Sequence, residues 1–144
     1  MARILIVGGG CRGRRLAAGA IAQGHAVRIT TRTGEGRTAI EAAGAECWIG
    51  DPDRLATMRG ALDGVAILCW LLGSAQGSEQ RLAALHSTRL EFFMTQAIDT
   101  TVRGVVYESS GTRARTGEVL ALGITRRNAI PAVVLDAPLE DAER

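Results

Sequence analysis

The sequence predicts an α/β fold: a three-layer, doubly wound parallel sheet with strand order 3-2-1-4-5-6. Three observations predict it. Short apolar runs alternate with helix-like segments, separated by short breaks. One of these runs, Val65–Leu71, is apolar at nearly every position, as expected of a strand covered by helices on both faces. The first run, Arg3–Val7, leads straight into Gly8-Gly9-Gly10-Cys11-Arg12-Gly13, a G-x-G-x-x-G that opens a helix. Strands alternating with helices imply parallel pairing through right-handed crossovers.

In chain order, the pattern predicts a first strand over Arg3–Val7 and a helix over Arg12–Gln23, closed by Gly24. A second strand follows at Ala26–Thr30, then a Gly-rich turn at Thr33–Gly36 and a short helix to Ala43, ended by Gly44. The third strand is Ala45–Ile49. Gly50-Asp51-Pro52 leaves it, and Asp51 or Asp53 can cap a helix running to Leu62. Asp63-Gly64 is a turn before the fourth strand, Val65–Leu71. A long helix over Ser78–Thr100 is predicted from Leu82, Leu85, Leu90, Phe93 and Ile98 at roughly helical spacing. Gly104–Glu108 is the fifth strand, Arg115–Asn128 a helix and Ile130–Leu135 the sixth strand.

The 144 residues suit a single domain, 1–144. A net charge of +2 is too small to point to nucleic acid. The longest apolar run, Val65 to Gly73, is far short of the roughly 20 residues needed to span a bilayer, so no membrane partner is expected. The N-terminus reads as a strand rather than a signal peptide. Cys11, Cys47 and Cys69 have no C-x-x-C spacing, which gives weak metal and disulfide signals and makes the reducing cytoplasm the expected location. The sequence contains no lysine, so all 17 basic residues are arginine. That excludes a Schiff-base lysine and any Tyr-Lys proton relay.

The glycine loop has a local physical logic. Gly8 permits a tight turn off the strand. Gly10 lets the backbone approach a pyrophosphate, and Gly13 lets the helix lie close to the sheet. The first amides of that helix point at the anion, and the helix dipole adds about half a positive charge there. Arg12, Arg14 and Arg15 surround this terminus. Cys11, inside the loop, reads either as a reactive thiol or as a small side chain fitted under the ligand. The motif between a strand and a helix, with a second strand after it, is the pattern of a dinucleotide-binding unit.

The end of the second strand bears on which dinucleotide. NAD sites place an acidic residue there, about 20 residues beyond the glycines, to hold the ribose 2′-hydroxyl. Here the stretch is Arg28-Ile29-Thr30-Thr31-Arg32-Thr33. Thr31 stands where the carboxylate would be and Arg32 is next to it. A 2′-phosphate would be repelled by a carboxylate but held by a hydroxyl and a guanidinium through charge-assisted hydrogen bonds. Arg37 can close over the same phosphate. The expected cofactor is therefore NADP(H), in preference to NAD.

The segments RILIVGGGCRG, GHAVRITTR, GDPDRLATMRGALDGVAIL with CWLLG, and GVVYESSG span Arg3–Gly111. Together they resemble the atypical short-chain dehydrogenase/reductases, including the NmrA-like and NAD(P)H-binding proteins, reduced to their cofactor-binding Rossmann part. The resemblance implies that Asp51 lies near the adenine and that Leu71, Leu72 and Gly73 line the adenine and ribose. It implies that Ser109 or Ser110 lies near the nicotinamide and substrate. The chain departs from the family in its glycine spacing, where Val7 replaces the first glycine of G-x-x-G-x-x-G, and in lacking the Tyr-x-x-x-Lys pair. Ligand-sensing domains of potassium-transport regulators also share the size, the G-x-G-x-x-G and the Gly-Asp, but generally keep the acid that Thr31 replaces.

Candidates for chemistry are few. Ser109 and Ser110 sit at a strand's C-terminal end, where ligands of open α/β sheets bind. Glu108 lies beside them. Tyr107 reads as a packed strand residue, His86 as a packed or surface helix residue and His25 as structural. Trp70 can either cover a cofactor ring or plug the core. Two functions compete: an NADP-dependent oxidoreductase acting on a small carbonyl or similar substrate, and a non-catalytic NADP(H) sensor that signals to a regulatory protein partner. A helix of over 20 residues would span about 30 Å and can pair across a two-fold axis, which makes a homodimer an expectation.

Overall fold

The computed structural model describes residues 2–8, 10–52, 54–72, 78–108 and 114–135. Its six strands are β1 (Arg3–Gly8), β2 (Ala26–Thr31), β3 (Glu46–Ile49), β4 (Ile67–Leu71), β5 (Gly104–Glu108) and β6 (Ala132–Leu135). All pair in parallel, in the order β3-β2-β1-β4-β5-β6. The predicted fold and strand order are those observed. The helices are α1 (Gly10–Ala22), α2 (Arg37–Ala42), α3 (Glu79–Leu85), α4 (Thr88–Ile98) and α5 (Ala114–Arg127).

The alternation of side chains along β1 explains the three layers. Ile4 and Ile6 point to one face, where they join Val27, Ile29 and Cys69 under Ala17 of α1 and Ile40 of α2. Leu5 and Val7 point to the other, where Leu68, Trp70, Val105 and Tyr107 meet α4 and α5 through Phe93, Met94, Ala97, Ala121 and Ile124. Every second residue thus enters a different core. The order reverses between β1 and β4, and such a switch point leaves a crevice beyond the strand ends.

Two predicted helices differ in the structure. The stretch after β3 forms two 3₁₀ turns, Leu55–Thr57 and Arg59–Leu62, instead of a helix to Leu62. The Thr57 hydroxyl draws this stretch inward: it accepts from the Asp51 amide at 2.8 Å and donates to the Arg54 carbonyl at 2.6 Å. The Asp51 carbonyl accepts from the Arg54 amide at 2.8 Å and turns the chain there, and Asp53 lies outside the described residues. Gly60 also sits against Trp48, where a Cβ would come within 2.7 Å of the indole.

The long helix over Ser78–Thr100 breaks at His86 and Ser87 into α3 and α4. His86 turns inward, its ring nitrogens bound to the Tyr107 hydroxyl and the Leu72 carbonyl. Ser87 leaves helical geometry (φ −140, ψ −94), and its hydroxyl bonds the Ala83 carbonyl at 2.6 Å. A serine hydroxyl offered to the backbone competes with the helix ladder. The single 30 Å helix on which two-fold pairing was expected is therefore absent.

Candidate functional site

The site is built at the mouth of β1. Gly8 (φ +79) takes the left-handed turn off the strand, where a Cβ would sit 2.8 Å from the Leu71 carbonyl and overlap the Leu72 side chain. Gly10 (φ +48) starts α1, and a Cβ there would meet nothing within 4 Å. Gly13 faces back: its Cβ would lie 2.8 Å from the Gly8 carbonyl and 3.3 Å from Ile6. The first and last glycines of the loop are thus demanded by the protein's own contacts. The middle one fronts open space.

That space is a cleft of about 330 Å³. Gly8, Gly10 and Arg14 form one wall, Thr31, Arg32 and Gly36 a second, and Leu71 and Leu72 a third, while Gly50 and Pro52 close in from the exit of β3. Its described lining carries Arg14, Arg32 and Arg81 and no carboxylate. A cleft lined by one sign of charge at a helix N-terminus attracts anions. A neighbouring cleft of about 510 Å³ shares Arg32 and Gly50 and adds Asp51, Arg54 and Thr57.

Six residues singled out in the sequence, Gly8, Gly10, Thr31, Arg32, Leu71 and Leu72, therefore come together on one cleft. Asp51 lines the adjoining one. Gly13 serves the close approach of α1 to β1. Arg12 does not face the cleft: its guanidinium pairs with Glu108 at the end of β5, and the Glu108 side chain is 1% exposed. Arg37 lines neither cleft and makes an exposed pair with Glu41 one helical turn on, at 3.4 Å. Gly73, Ser109 and Ser110 lie outside the described residues, as does the side chain of Cys11.

The remaining candidates are core groups, apart from the half-buried His25. Trp70 is fully buried, donates from its indole nitrogen to the Leu85 carbonyl at 3.2 Å and packs on Phe93, so it plugs the core. Tyr107, 1% exposed, lies beneath α5 with its hydroxyl on His86. Burial pushes its pKa upward, with Glu118 and Glu108 adding to the effect. Burial also pushes the Cys69 thiol up to about 12, which leaves it a small apolar side chain. His25 accepts a bond from the Ala2 amide at 3.1 Å, beside the start of β2.

Sequence reasoning missed Gly50, Pro52, Arg81 and Arg54 as cleft residues. The Gly-Asp-Pro exit of β3 was a signal for the first two. Nothing local marked the arginines. Among the described residues, no group of His, Cys, Asp or Glu could hold a metal ion, and no helix is long and apolar enough to cross a membrane.

No protein-family model matches this sequence, and no curated protein does. Solved structures do match. A short-chain dehydrogenase/reductase superfamily protein from Agrobacterium tumefaciens, with bound NAD, aligns with a TM-score of 0.72 at 21% identity, over 92% of this chain and 48% of its own. UDP-glucuronic acid 4-epimerase from Bacillus cereus, also with NAD, gives 0.71 at 12% identity, over 92% of this chain and 55% of its own. Vestitone reductase from alfalfa gives 0.69 at 12%, over 93% and 56%. The fold is therefore the Rossmann fold, shared with these structures. The chain spans about half the length of these proteins.

Proposed function

We propose that this chain binds NADP(H) and acts as the cofactor-holding part of a small oxidoreductase of the atypical short-chain type. The observation that carries the reading is Gly10. It lines the cleft in the left-handed region, and a Cβ there would contact no protein atom. Glycine at that point suits a ligand that must approach the backbone itself, as a pyrophosphate does.

The residues present fit such a ligand. The opening amides of α1 and Arg14 would hold the diphosphate, Leu71 and Leu72 would flank the ribose and adenine, and Thr31 and Arg32 would take the 2′-phosphate. The cofactor would supply a hydride. The preference for NADP(H) over NAD(H) rests on the end of β2, where Thr31 and Arg32 border the cleft and no acid is among its described lining. The structural relatives crystallised with NAD support the nucleotide class rather than the preference.

Calorimetric titration tests the preference. NADPH is expected to bind more tightly than NADH, and Arg32→Ala to remove about tenfold or more of that advantage, the scale of one hydrogen-bonded charge pair. Tighter NADH binding, with Arg32→Ala harmless, contradicts it. For catalysis, NADPH is mixed with aldehydes, ketones and quinones and its absorbance followed. Turnover lost in Ser109→Ala supports the enzyme.

A second reading, an NADP(H) sensor with a protein partner, is favoured by Tyr107. The chain's only tyrosine is buried and bound to His86, and the sequence has no lysine to act with it. Tight NADPH binding without turnover on any substrate supports the sensor.

A further inference from the structure

We infer that Arg54 is a second determinant of nucleotide choice, clasping the adenosine 2′-phosphate from the side opposite Arg32. The inference rests on the NADP(H) reading above and extends it to a residue outside the glycine loop and the β2 end.

Two loops are stitched together beside the cleft. The Gly50 amide, at the exit of β3, donates to the Thr31 carbonyl at the end of β2 at 2.9 Å. From there the chain turns tightly. The Arg54 amide donates to the Asp51 carbonyl at 2.8 Å, and the Thr57 hydroxyl ties Asp51 to Arg54. Thr57 is itself anchored, its carbonyl accepting from the Trp48 indole at 2.9 Å. One bond therefore fixes the loop that carries Arg32 against the loop that carries Arg54, and both arginines line the same cleft.

Their electrostatic state points to an anion. Arg12, Arg28 and Arg37 each have a carboxylate partner. Arg32 and Arg54 make no side-chain hydrogen bond or ion pair with any described residue. Asp51 is the one acidic residue in the described lining of that cleft, which thus carries two arginines and one acid. Like charges converging on one space are stabilised by a dianion between them, and a forked guanidinium suits phosphate oxygens. This cleft continues from the one fronted by Gly10 through Arg32 and Gly50. A phosphate on the adenosine ribose fits that position, because Thr31 and Arg32 stand where a ribose-binding acid would otherwise be.

The test uses four ligands in calorimetry with the full chain: NADPH, NADH, 2′,5′-ADP and 5′-AMP. Arg54 contributes to the turn only through its backbone in the bonds above, so Arg54→Ala is expected to fold, and its melting curve checks this. Arg54→Ala should weaken NADPH and 2′,5′-ADP about tenfold while changing NADH and 5′-AMP by less than about twofold, with the loss shrinking at high salt. Equal weakening of both pairs, or no weakening, overturns the inference. If wild-type protein still prefers NADPH and Arg32→Ala still abolishes that preference, the broader reading survives the failure. A wild-type protein that does not distinguish NADPH from NADH overturns both.

Discussion

The Nδ1 atom of His86 lies 2.6 Å from the hydroxyl oxygen of Tyr107, and both side chains are buried. The other ring nitrogen, Nε2, lies 3.3 Å from the Leu72 carbonyl. A carbonyl can only accept, so Nε2 carries a proton. Burial favours the neutral ring, and in that state Nδ1 accepts from the tyrosine hydroxyl. The network ties the α3–α4 junction to β5 and to the residue that leaves β4 for the cleft.

This pair gives the fold a pH dependence. Burial lowers the pKa of His86, while the Leu72 carbonyl and the Glu108 charge oppose the shift. The unfolded histidine titrates near about 6.5. Below that pH the unfolded chain binds the proton more readily than the folded one, so stability is present above about 6.5 and is lost as pH falls. Unfolding free energy is expected to decline between about pH 7 and 5, before most carboxylates protonate. In His86→Gln the slope over that window should flatten. An unchanged slope contradicts the neutral assignment.

Arg12 and Glu108 bridge the start of α1 and the end of β5, with side chains 12% and 1% exposed. Removing the arginine takes a charge partner from a buried carboxylate, so Arg12→Ala is expected to cost about 3 kcal/mol. Replacing both residues with methionine should cost less than the single change, since the buried carboxylate goes with its partner. Denaturant midpoints measure this. A single variant within about 0.5 kcal/mol of wild type, the range of an ordinary surface change, contradicts it.

Two glycines of α5 should respond in opposite directions to alanine. A Cβ at Gly117 would overlap the Tyr107 hydroxyl, whereas one at Gly123 would meet nothing within 4 Å. Gly123→Ala is expected to stabilise by up to about 1 kcal/mol through helix propensity. Gly117→Ala gains the same propensity but overpacks the Tyr107 contact, and should destabilise by about 1–2 kcal/mol net. Equal effects on denaturant stability would show that Tyr107 is not seated as described.

These cases show what the sequence could reveal. The sheet was legible because its order follows from local signals: apolar runs such as Val65–Leu71, and glycines that punctuate them. Two walls of the cleft were legible for the same reason, since Gly8 and Gly10 on one and Thr31 and Arg32 on the other belong to two short, recognisable stretches. The break at His86 was hidden, because its cause is a bond to Tyr107, 21 residues away, while the apolar spacing from Leu82 to Ile98 runs on unbroken. Arg12 read as one of three arginines around the glycine-loop terminus that could reach a phosphate, and nothing in the sequence marked Arg54. Their surroundings are set by Glu108, 96 residues on, and by the Thr31–Gly50 bond between two loops.

The most direct test of nucleotide binding is calorimetric titration of NADPH into the intact protein and into Gly10→Ala. The alanine has room in the free protein and adds only a left-handed backbone penalty of roughly 1–2 kcal/mol. Saturable binding by the wild type is expected, with binding lost in a variant that still melts cooperatively. No heat from wild type at millimolar NADPH or NADH, or equal affinity in the variant, would contradict the account.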